Sequence, residues 1–417
     1  MNCSFSLDKG HFITGILMKE KMRKAFVKAE GGLFNTVEKA DVGSNYTQLG
    51  EMGVDLMGWA DPFAPDFSLP DHILEATMKA LQSNVSVHYT APIGNEELKK
   101  VIAKKLKEKN HLDVDPLRNI LITPGSDSGL YYAMLSCLNE GDEVIIPTPC
   151  YPNNIQNIDL IGAKSVYVEL KAENEYQLDI NDFKTALTSK TKMVVLTHPN
   201  NPTTTVFNKK SLIELSQFII DNDLILVVDM AFEDFTFENE LITPASLPGM
   251  WERTITVFST SKGMGLSGYR VGYIVTNDVF MDAYYGCAVS ILGATNTVSQ
   301  LAVIAAFKDS SFMESFHQAF DIRRKKAYEI FNSIPNVSMK LSESGFLGWV
   351  DVSKLGSSTD IVSYLIKEAK VCVNDGINYG KGGEGHFRIV LGVYEDNEKV
   401  FDALYRIKDA LIKYQNL

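Results

Sequence analysis

The sequence predicts an α/β fold built on a seven-stranded, mainly parallel sheet with helices on both faces, together with a smaller α+β domain. Seven short apolar runs recur between residues 119 and 276, and several are continuous Val, Ile and Leu, as in strands buried on both faces. Helical patterns separate most of these runs, and alternating strands and helices favour a parallel sheet. After about residue 310 long charged helical patterns alternate with isolated strands, which predicts the second domain.

The domain division follows from these patterns. Residues 1–70 are predicted to form an N-terminal arm and part of the small domain, residues 71–310 the large domain, and residues 311–417 the small C-terminal domain. The 417 residues are enough for one large and one small domain. The first ~45 residues are charged and irregular, and we expect them to form an arm with a helix that contacts a partner subunit.

The elements of the large domain begin near Asp71, the expected N-cap of a helix over residues 72–81. Asn95 opens a strongly basic amphipathic helix that continues to about Lys109. The clearest helical patterns farther along cover residues 128–138 and 210–221. The predicted strands span residues 119–123, 143–147, 165–170, 192–197, 224–229, 254–258 and 271–276.

The small domain is predicted from a helix, two strands, a second helix, two further strands and a final helix. In chain order these elements span residues 315–332, 337–341, 346–352, 359–369, 371–374, 387–391 and 395–413.

The composition is that of an acidic globular protein, with a net charge of −12 and 45% hydrophobic residues. An acidic surface argues against nucleic acid or an anionic membrane as the main partner. The five cysteines are widely spaced without Cys-x-x-Cys, so we expect neither a disulfide framework nor a zinc or other metal site. We also expect no signal peptide and no membrane span, and a cytoplasmic location.

The most informative segment is residues 257–270, where Lys262 lies among small hydroxyl and glycine residues, eight positions before Arg270. A lysine in this setting can form a Schiff base with an aldehyde cofactor. The nearby Ser259, Ser261 and Arg270 can hold a phosphate group. The segment resembles the cofactor-lysine segment of the class I/II aminotransferases, which belong to fold type I and use pyridoxal 5'-phosphate. That family's large domain has a seven-stranded sheet, and its freed lysine moves the substrate's α-proton.

Asp229 ends the apolar run of residues 224–228, and a carboxylate at the end of a buried strand is costly without a partner. In the resembled family that partner is the protonated pyridine nitrogen. The turn of residues 123–129 places small residues between a strand and a helix, where backbone N–H groups can approach an anion. The resemblance implies that Gly125, Ser126 and Asp127 contact the phosphate.

The resemblance implies further roles. Arg388 should bind the substrate α-carboxylate, as a planar guanidinium can do bidentately. Asn201, in the turn of residues 198–203, should bond the cofactor's ring oxygen and help bind the substrate, and Tyr151 should stack on the pyridine ring. Tyr89 should reach the phosphate across a subunit interface, which makes the active unit a homodimer.

The chain also departs from the family pattern. Phe232 stands where the family has a tyrosine whose hydroxyl bonds the ring oxygen, and His198 replaces the first asparagine of the Asn-Pro turn. Trp59, next to an altered glycine position, is expected to line the substrate pocket. Asp127 occupies a site that is basic in some aspartate-using members, and residues 284–300 contain no arginine or lysine. We therefore expect a substrate side chain that is neutral or basic.

The sequence supports a pyridoxal-phosphate-dependent aminotransferase that moves an amino group from an L-α-amino acid to a 2-oxo acid. The alternative is a lyase that eliminates a β- or γ-substituent, or an oxidase or cyclase, on the same fold. A ligand-sensing regulator is disfavoured because the region before residue 55 is too short for a DNA-binding domain. A nucleotide-binding α/β enzyme is disfavoured too. The Gly-x-Gly-x-x-Gly matches at residues 263–268 and 380–385 each lead into a strand-like run, whereas a dinucleotide fingerprint opens a helix.

Overall fold

The computed structural model describes residues 21–24, 26, 44–66 and 69–416. The predicted helix of the N-terminal arm falls mostly outside these residues. The strands, in chain order, are β1 (Asp55–Leu56), β2 (Ile120–Thr123), β3 (Glu143–Thr148), β4 (Lys164–Glu169), β5 (Thr191–Thr197), β6 (Ile225–Asp229), β7 (Thr254–Ser259), β8 (Gly272–Val275), β9 (Ser338–Met339), β10 (Leu347–Asp351), β11 (Val371–Cys372), β12 (Asn374–Asp375) and β13 (His386–Val390).

The helices begin for reasons that are visible in the sequence. Asparagines cap several of them, as where the Asn95 side chain accepts from the N–H groups of Glu97 and Leu98. In chain order the helices are α1 (Ser44–Glu51), α2 (Asp71–Leu81), α3 (Glu96–Lys109), α4 (Ser126–Leu135), α5 (Pro152–Ile161), α6 (Ile180–Ala186), α7 (Lys209–Asp221), α8 (Asp278–Ile291), α9 (Thr297–Lys308), α10 (Phe312–Asn332), α11 (Ser358–Glu368) and α12 (Asn397–Tyr414).

The central sheet has seven strands in the order β2-β8-β7-β6-β5-β3-β4. Strands β3 to β7 pair in parallel, whereas β8 is antiparallel to both β2 and β7. All seven predicted strands are present, and the predicted α/β fold class is confirmed.

Both faces of this sheet are covered. Successive residues of β6 alternate between two hydrophobic clusters: Leu226 and Val228 belong to one and Val227 to the other. Helices α3, α7 and α9 contribute to the first cluster, and α4, α5 and α8 to the second. Because successive residues of such a strand face helices on opposite sides of the sheet, neither side of the strand is polar. This explains the continuous apolar runs.

A second sheet has four strands in the order β12-β13-β10-β9, all antiparallel, and β1 pairs in parallel with β11. Residues before α2 are thereby joined to the C-terminal part of the chain, as expected for an N-terminal segment that completes the small domain. The division at residues 70 and 310 stays a prediction.

Two local predictions were wrong. Asp71 is the first helical residue of α2 and makes no capping bond, because Pro70 occupies the cap position. The single strand predicted over residues 371–374 is divided between β11, which pairs with β1, and β12, which pairs with β13.

The two Gly-x-Gly-x-x-Gly matches precede β8 and β13, which confirms their interpretation as unrelated to a dinucleotide fingerprint. No helix among the described residues is long and apolar enough to span a membrane.

Candidate active site

The carboxyl ends of parallel strands β5, β6 and β7 meet at one edge of the large sheet, where α/β proteins place ligands. Thr197, Asp229 and Ser259 stand at these ends and line a cavity of about 310 Å³. The predicted site residues that line this cavity are Trp59, Ser126, Asp127, Tyr151, Asn201, Asp229, Phe232, Ser259, Ser261, Lys262, Arg270 and Arg388. The structure therefore brings together residues that are up to 329 positions apart, from Trp59 to Arg388.

Lys262 follows β7 on a turn that backbone bonds hold in place. The N–H of Thr260 donates to the Val271 carbonyl, and the N–H of Leu266 donates back to the Thr260 carbonyl. The Lys262 Nζ donates to the Ala60 carbonyl at 2.5 Å. Burial and the positive charge of Arg388 lower the pKa of the Lys262 ammonium to about 8, so a substantial fraction of the amine is neutral near physiological pH.

Asp229 ends β6 and is 2% exposed. Its carboxylate accepts hydrogen bonds from Asn154 Nδ2 at 3.2 Å and from the Ala231 N–H at 3.2 Å. Burial raises the pKa of Asp229 to about 6, although these two hydrogen bonds lower it. A buried carboxylate held by neutral donors is costly to ionise, and a cationic ligand group beside it would remove that cost.

The turn before α4 and Arg270 form a cradle. Gly125 has φ = +84°, and a Cβ built on it would lie 2.5 Å from Nη2 of Arg270. The guanidinium therefore lies against the start of α4, where the helix exposes its first N–H groups. A Cβ on Gly272 would lie 2.6 Å from the Ser126 nitrogen, so a side chain there would push the turn away from the sheet. Ser259 and Ser261 add hydroxyls to the same cavity.

Arg388 lies in β13 and is 1% exposed. Its Nη1 donates to Asn201 Oδ1 at 3.2 Å, and its Nη2 donates to the Gly58 carbonyl at 2.8 Å and to Asn374 Oδ1 at 2.6 Å. The Nε is buried and has no hydrogen-bond partner among the described residues. These bonds use three of the five guanidinium N–H groups, so among the described residues the Nε–H and one Nη1–H of this fixed cation are left to bind a carboxylate.

Phe232 packs as an apolar residue beside these groups. Its ring centroid lies 5.4 Å from that of Phe346, and 6.0 Å from the Lys262 Nζ. A Cβ on Gly345 would lie 2.7 Å from the Phe232 ring, so the ring fills the space against that backbone. The ring offers no hydrogen-bond donor to the cavity. Asn201, which also lines the cavity, carries an amide Nδ2 that can donate.

Two predicted residues do not line the cavity. Gly125 lies behind Arg270, as described above. Tyr89 is fully exposed at the surface of the single chain. Its segment is nevertheless anchored near the phosphate turn, because the Ile122 N–H of β2 donates to the Ile93 carbonyl and the Asn95 N–H donates to Gln300.

The sequence analysis missed Asn153 and Asn154, at the start of α5. Asn153 Nδ2 donates to the Tyr151 hydroxyl at 3.0 Å and to Asp127 Oδ1 at 3.3 Å. Asn154 joins Thr197 to Asp229. Two adjacent asparagines directly after a helix-starting Tyr-Pro pair are a signal that could have been used, because a buried asparagine at a strand-end site has a polar partner.

The arrangement fits pyridoxal phosphate. The Gly125–Arg270 cradle suits a phosphate, Asp229 suits a protonated ring nitrogen, and Lys262, whose amine is partly neutral because of its lowered pKa, suits an aldehyde. Arg388 then remains for a substrate carboxylate. Among the described residues, no group of three or more His, Cys, Asp or Glu side chains is placed to hold a metal ion.

Comparisons with known proteins agree with this geometry. The family model for aminotransferase class I and II matches residues 61–404. Aspartate aminotransferase of Pyrococcus abyssi (strain GE5 / Orsay) is 32% identical over 351 residues, which are 82% of this chain and 89% of that protein. Aromatic-amino-acid aminotransferase 2 of Thermococcus litoralis is 31% identical, with the same two shares. The crystal structure of aromatic aminotransferase from Pyrococcus horikoshii OT3 matches with a TM-score of 0.83 and 30% identity, over 89% of this chain and 100% of that one.

These matches confirm the predicted family, cofactor and reaction class. The range covered by the family model contains Lys262, Asp229 and Arg388, the three groups around which the cavity is built. The chain therefore belongs to the aminotransferase class I and II family, and it is a pyridoxal-phosphate-dependent aminotransferase of fold type I.

Proposed function

We propose that this aminotransferase takes the amino group from an L-α-amino acid with a neutral or basic side chain and passes it to a 2-oxo acid. The observation that carries the proposal is the meeting of Lys262, Asp229 and Arg388 in one cavity. Pyridoxal phosphate, when bound, supplies an aldehyde that forms a Schiff base with an amine and a ring that withdraws electrons from the substrate's α-carbon.

Lys262 acts twice in this proposal. Its lowered pKa keeps part of the amine neutral, so it can attack the aldehyde carbon as a nucleophile. With pyridoxal phosphate and a substrate amine bound, the Lys262 Nζ would be free to remove the substrate's α-proton and to return it. The Ala60 carbonyl, which accepts a hydrogen bond from this Nζ, helps to orient it.

Asp229 holds a proton on the ring nitrogen by pairing with it in a buried place. Asn154 and the Ala231 N–H fix the two carboxylate oxygens, so the charge is aimed in one direction. The phosphate is held by the first N–H groups of α4, by the hydroxyls of Ser259 and Ser261, and by Arg270. Asp127 contributes its backbone N–H to that cradle, since its side chain bonds Asn153.

Arg388 binds the substrate α-carboxylate and so sets which face of the α-carbon meets Lys262. Asn201 Oδ1 accepts from Arg388, which leaves the Asn201 amide group to donate to the cofactor's ring oxygen. Tyr151 stacks on the ring, and Trp59 lines the substrate side of the cavity.

The preference for a neutral or basic side chain rests on how the cations are used. Among the described residues, the basic side chains that line the cavity are Lys262, Arg270 and Arg388. The cofactor aldehyde, the phosphate and the α-carboxylate occupy all three. No lining cation of this chain remains for a second carboxylate, which a dicarboxylic donor would carry.

We further propose a homodimer in which Tyr89 of one subunit reaches the phosphate in the other. In support, Tyr89 is fully exposed on a segment anchored beside β2, and Met78, Leu81 and Val87 are exposed apolar residues close to it in sequence. Hybrid dimers test this assignment. Mixing Tyr89→Phe with Lys262→Ala subunits should restore one intact site per hybrid if Tyr89 acts across the interface. A hybrid no more active than its parents would contradict that assignment.

A cytoplasmic location is proposed as well. Cys137, Cys150, Cys287 and Cys372 are free thiols, and Cys287 is exposed, which suits a reducing compartment. Fractionation of the native cell tests this directly, and recovery of the enzyme outside the cytoplasm would refute it.

The reaction is tested by following the absorbance of the holoenzyme during addition of single L-amino acids without any 2-oxo acid. Conversion to the pyridoxamine form, with one equivalent of 2-oxo acid released per site, is expected. Lys262→Ala should abolish the conversion. Release of ammonia or peroxide with an unchanged cofactor spectrum would instead favour elimination or oxidation. A robust preference for aspartate or glutamate would contradict the proposed donor class.

A further inference from the structure

One wall of the cavity is made of Asp127, Asn153 and Tyr151, which we call the acidic wall. The two hydrogen bonds of Asn153 link the three side chains, and the starts of α4 and α5 fix their backbones. Burial and the negative charge of Asp127 raise the pKa of the Tyr151 hydroxyl well above its usual value, so it remains a neutral donor. An ionised carboxylate has about four acceptor positions, and the bonds from Asn153 and from the Tyr151 hydroxyl use two of those of Asp127.

The charges around the cavity do not balance without a further cation. Its lining includes three carboxylates, Asp61, Asp127 and Asp229, and three basic side chains. Asp229 would pair with the ring nitrogen and Arg388 with the substrate carboxylate, whereas Arg270 would offset only part of the charge of the cofactor phosphate, which is close to two negative charges. Lys262 is neutral while it acts as a base. Asp61 and Asp127 then remain as negative charges without a cation from this chain.

An aromatic side chain also lines the cavity. Trp59 is 46% exposed, and Asp61, two residues later, belongs to the same lining, with its carboxylate bonded by the Ser267 hydroxyl. A cavity lined by both an aromatic ring and carboxylates is an environment in which ammonium and guanidinium groups bind, because the ring and the anions both attract positive charge.

We propose that the amino donor is a basic L-amino acid, and that its cationic side-chain terminus lies between the acidic wall and Trp59. This inference rests on the proposed function, because it uses Arg388 to orient the substrate. Asp127 recognises the charge, Asn153 positions the Asp127 carboxylate, and Asp61 adds further negative potential to the cavity.

The same wall disfavours an acidic donor. A carboxylate-bearing side chain at this place would be a third uncompensated negative charge beside Asp61 and Asp127. It would also bring no donor to the remaining acceptor positions of Asp127. A neutral polar side chain would satisfy the hydrogen bonds but would not compensate the charge.

Binding of two near-isosteric acids to the holoenzyme tests this without any reaction. Both 5-guanidinopentanoate and 5-ureidopentanoate lack the α-amino group, so neither can undergo transamination. They differ in the charge at the terminus. Calorimetry should show the guanidino acid binding about ten- to a hundredfold tighter than the ureido acid, the range expected for a buried hydrogen bond to a charged group.

The isosteric variant Asp127→Asn should bring this affinity ratio close to one. Any disturbance of the phosphate turn by the variant affects both ligands equally and cancels in the ratio. Asp61→Asn is the matched control and should lower the ratio by less. L-arginine and L-citrulline should show the same pattern in kcat/KM.

The inference is overturned if wild-type enzyme binds the two acids equally, if Asp127→Asn keeps the full ratio, or if Asp61→Asn alone removes it. These results are separable from failure of the proposed function. Half-transamination of neutral amino acids with no preference for the guanidino acid would defeat this inference alone. The absence of half-transamination with every amino acid would defeat the proposed function.

Discussion

The substitution Asp229→Asn should make the cofactor-free protein more stable at alkaline pH while it removes a group that the reaction needs. The fold raises the pKa of Asp229 from its usual value of 3.8 to about 6, chiefly by burial. The folded protein therefore binds this proton more tightly than the unfolded chain does. The free energy of unfolding therefore falls as the pH rises from about 3.8 to about 6. Above about pH 6 it falls no further, because Asp229 is then ionised in the folded and the unfolded chain alike.

The magnitude follows from the size of the shift. At about 1.36 kcal/mol for each pH unit, the ionised carboxylate lowers the free energy of unfolding by about 3 kcal/mol at pH 8 and about 1.6 kcal/mol at pH 5. Asparagine can still accept from the Ala231 N–H, but its amide faces the amide of Asn154, which costs about 1 kcal/mol. The variant should gain about 2 kcal/mol at pH 8 and about 0.5 kcal/mol at pH 5.

Urea unfolding of the cofactor-free proteins at the two pH values measures this difference. Asp409→Asn is the control, because Asp409 is exposed on α12 and should show little change at either pH. The reasoning is refuted if Asp229→Asn is no more stable than wild type at pH 8, or if its gain does not depend on pH. With pyridoxal phosphate present, the variant should lose affinity for the cofactor and activity, so stability and function change in opposite directions.

Three other predictions test the remaining parts of the site. Binding of pyridoxal phosphate to the cofactor-free enzyme, followed by absorbance, should accelerate with a midpoint of about pH 8, since only the neutral Lys262 amine attacks. Arg388→Gln should move that midpoint upward, and an unmoved midpoint would contradict the role of Arg388 in lowering this pKa. Gly125→Ala should weaken cofactor binding about tenfold or more, because its Cβ would displace Arg270. Gly141→Ala is the control, because Gly141 has a similar φ of +88° and a Cβ there would make no close contact. An equal loss of cofactor affinity in Gly141→Ala would refute the explanation. Arg388→Lys should lower kcat/KM about tenfold or more, because the three donors of an ammonium cannot replace the bonds to Asn201, Gly58 and Asn374 and still bind the substrate carboxylate, and an unchanged value would contradict the assignment.

The sequence predicted the large sheet well because its strands are buried on both faces. Runs such as residues 224–228 have no polar side, so their length and composition were enough. The strand predicted over residues 371–374 failed for the opposite reason. Its two halves pair with different partners, β1 and β13, and local composition contains no information about which distant strand is a neighbour.

The candidate site was predictable where residues match the pattern of a known family. Lys262 and Asp229 also have a local context that indicates a cofactor, whereas Arg388 was predicted from the resemblance, and all three line the cavity. Asn153 and Asn154 were missed because asparagine at a helix start has a common structural use as a cap. Tyr89 lies at the surface of the single chain, so its role across a subunit interface stays a prediction.

The hydrogen bonds of Arg388 have a consequence for how this enzyme can be recombined with its relatives. One guanidinium joins β13 to the carbonyl of Gly58 and to the side chain of Asn201, which lie 330 and 187 positions earlier in the chain. A chimera that takes only residues 311–417 from a relative would combine the relative's arginine and its surroundings with Gly58 and Asn201 of this enzyme. The proposed carboxylate-binding unit is therefore inherited as three separate stretches of sequence, and crossovers between them should succeed only when all three come from compatible parents.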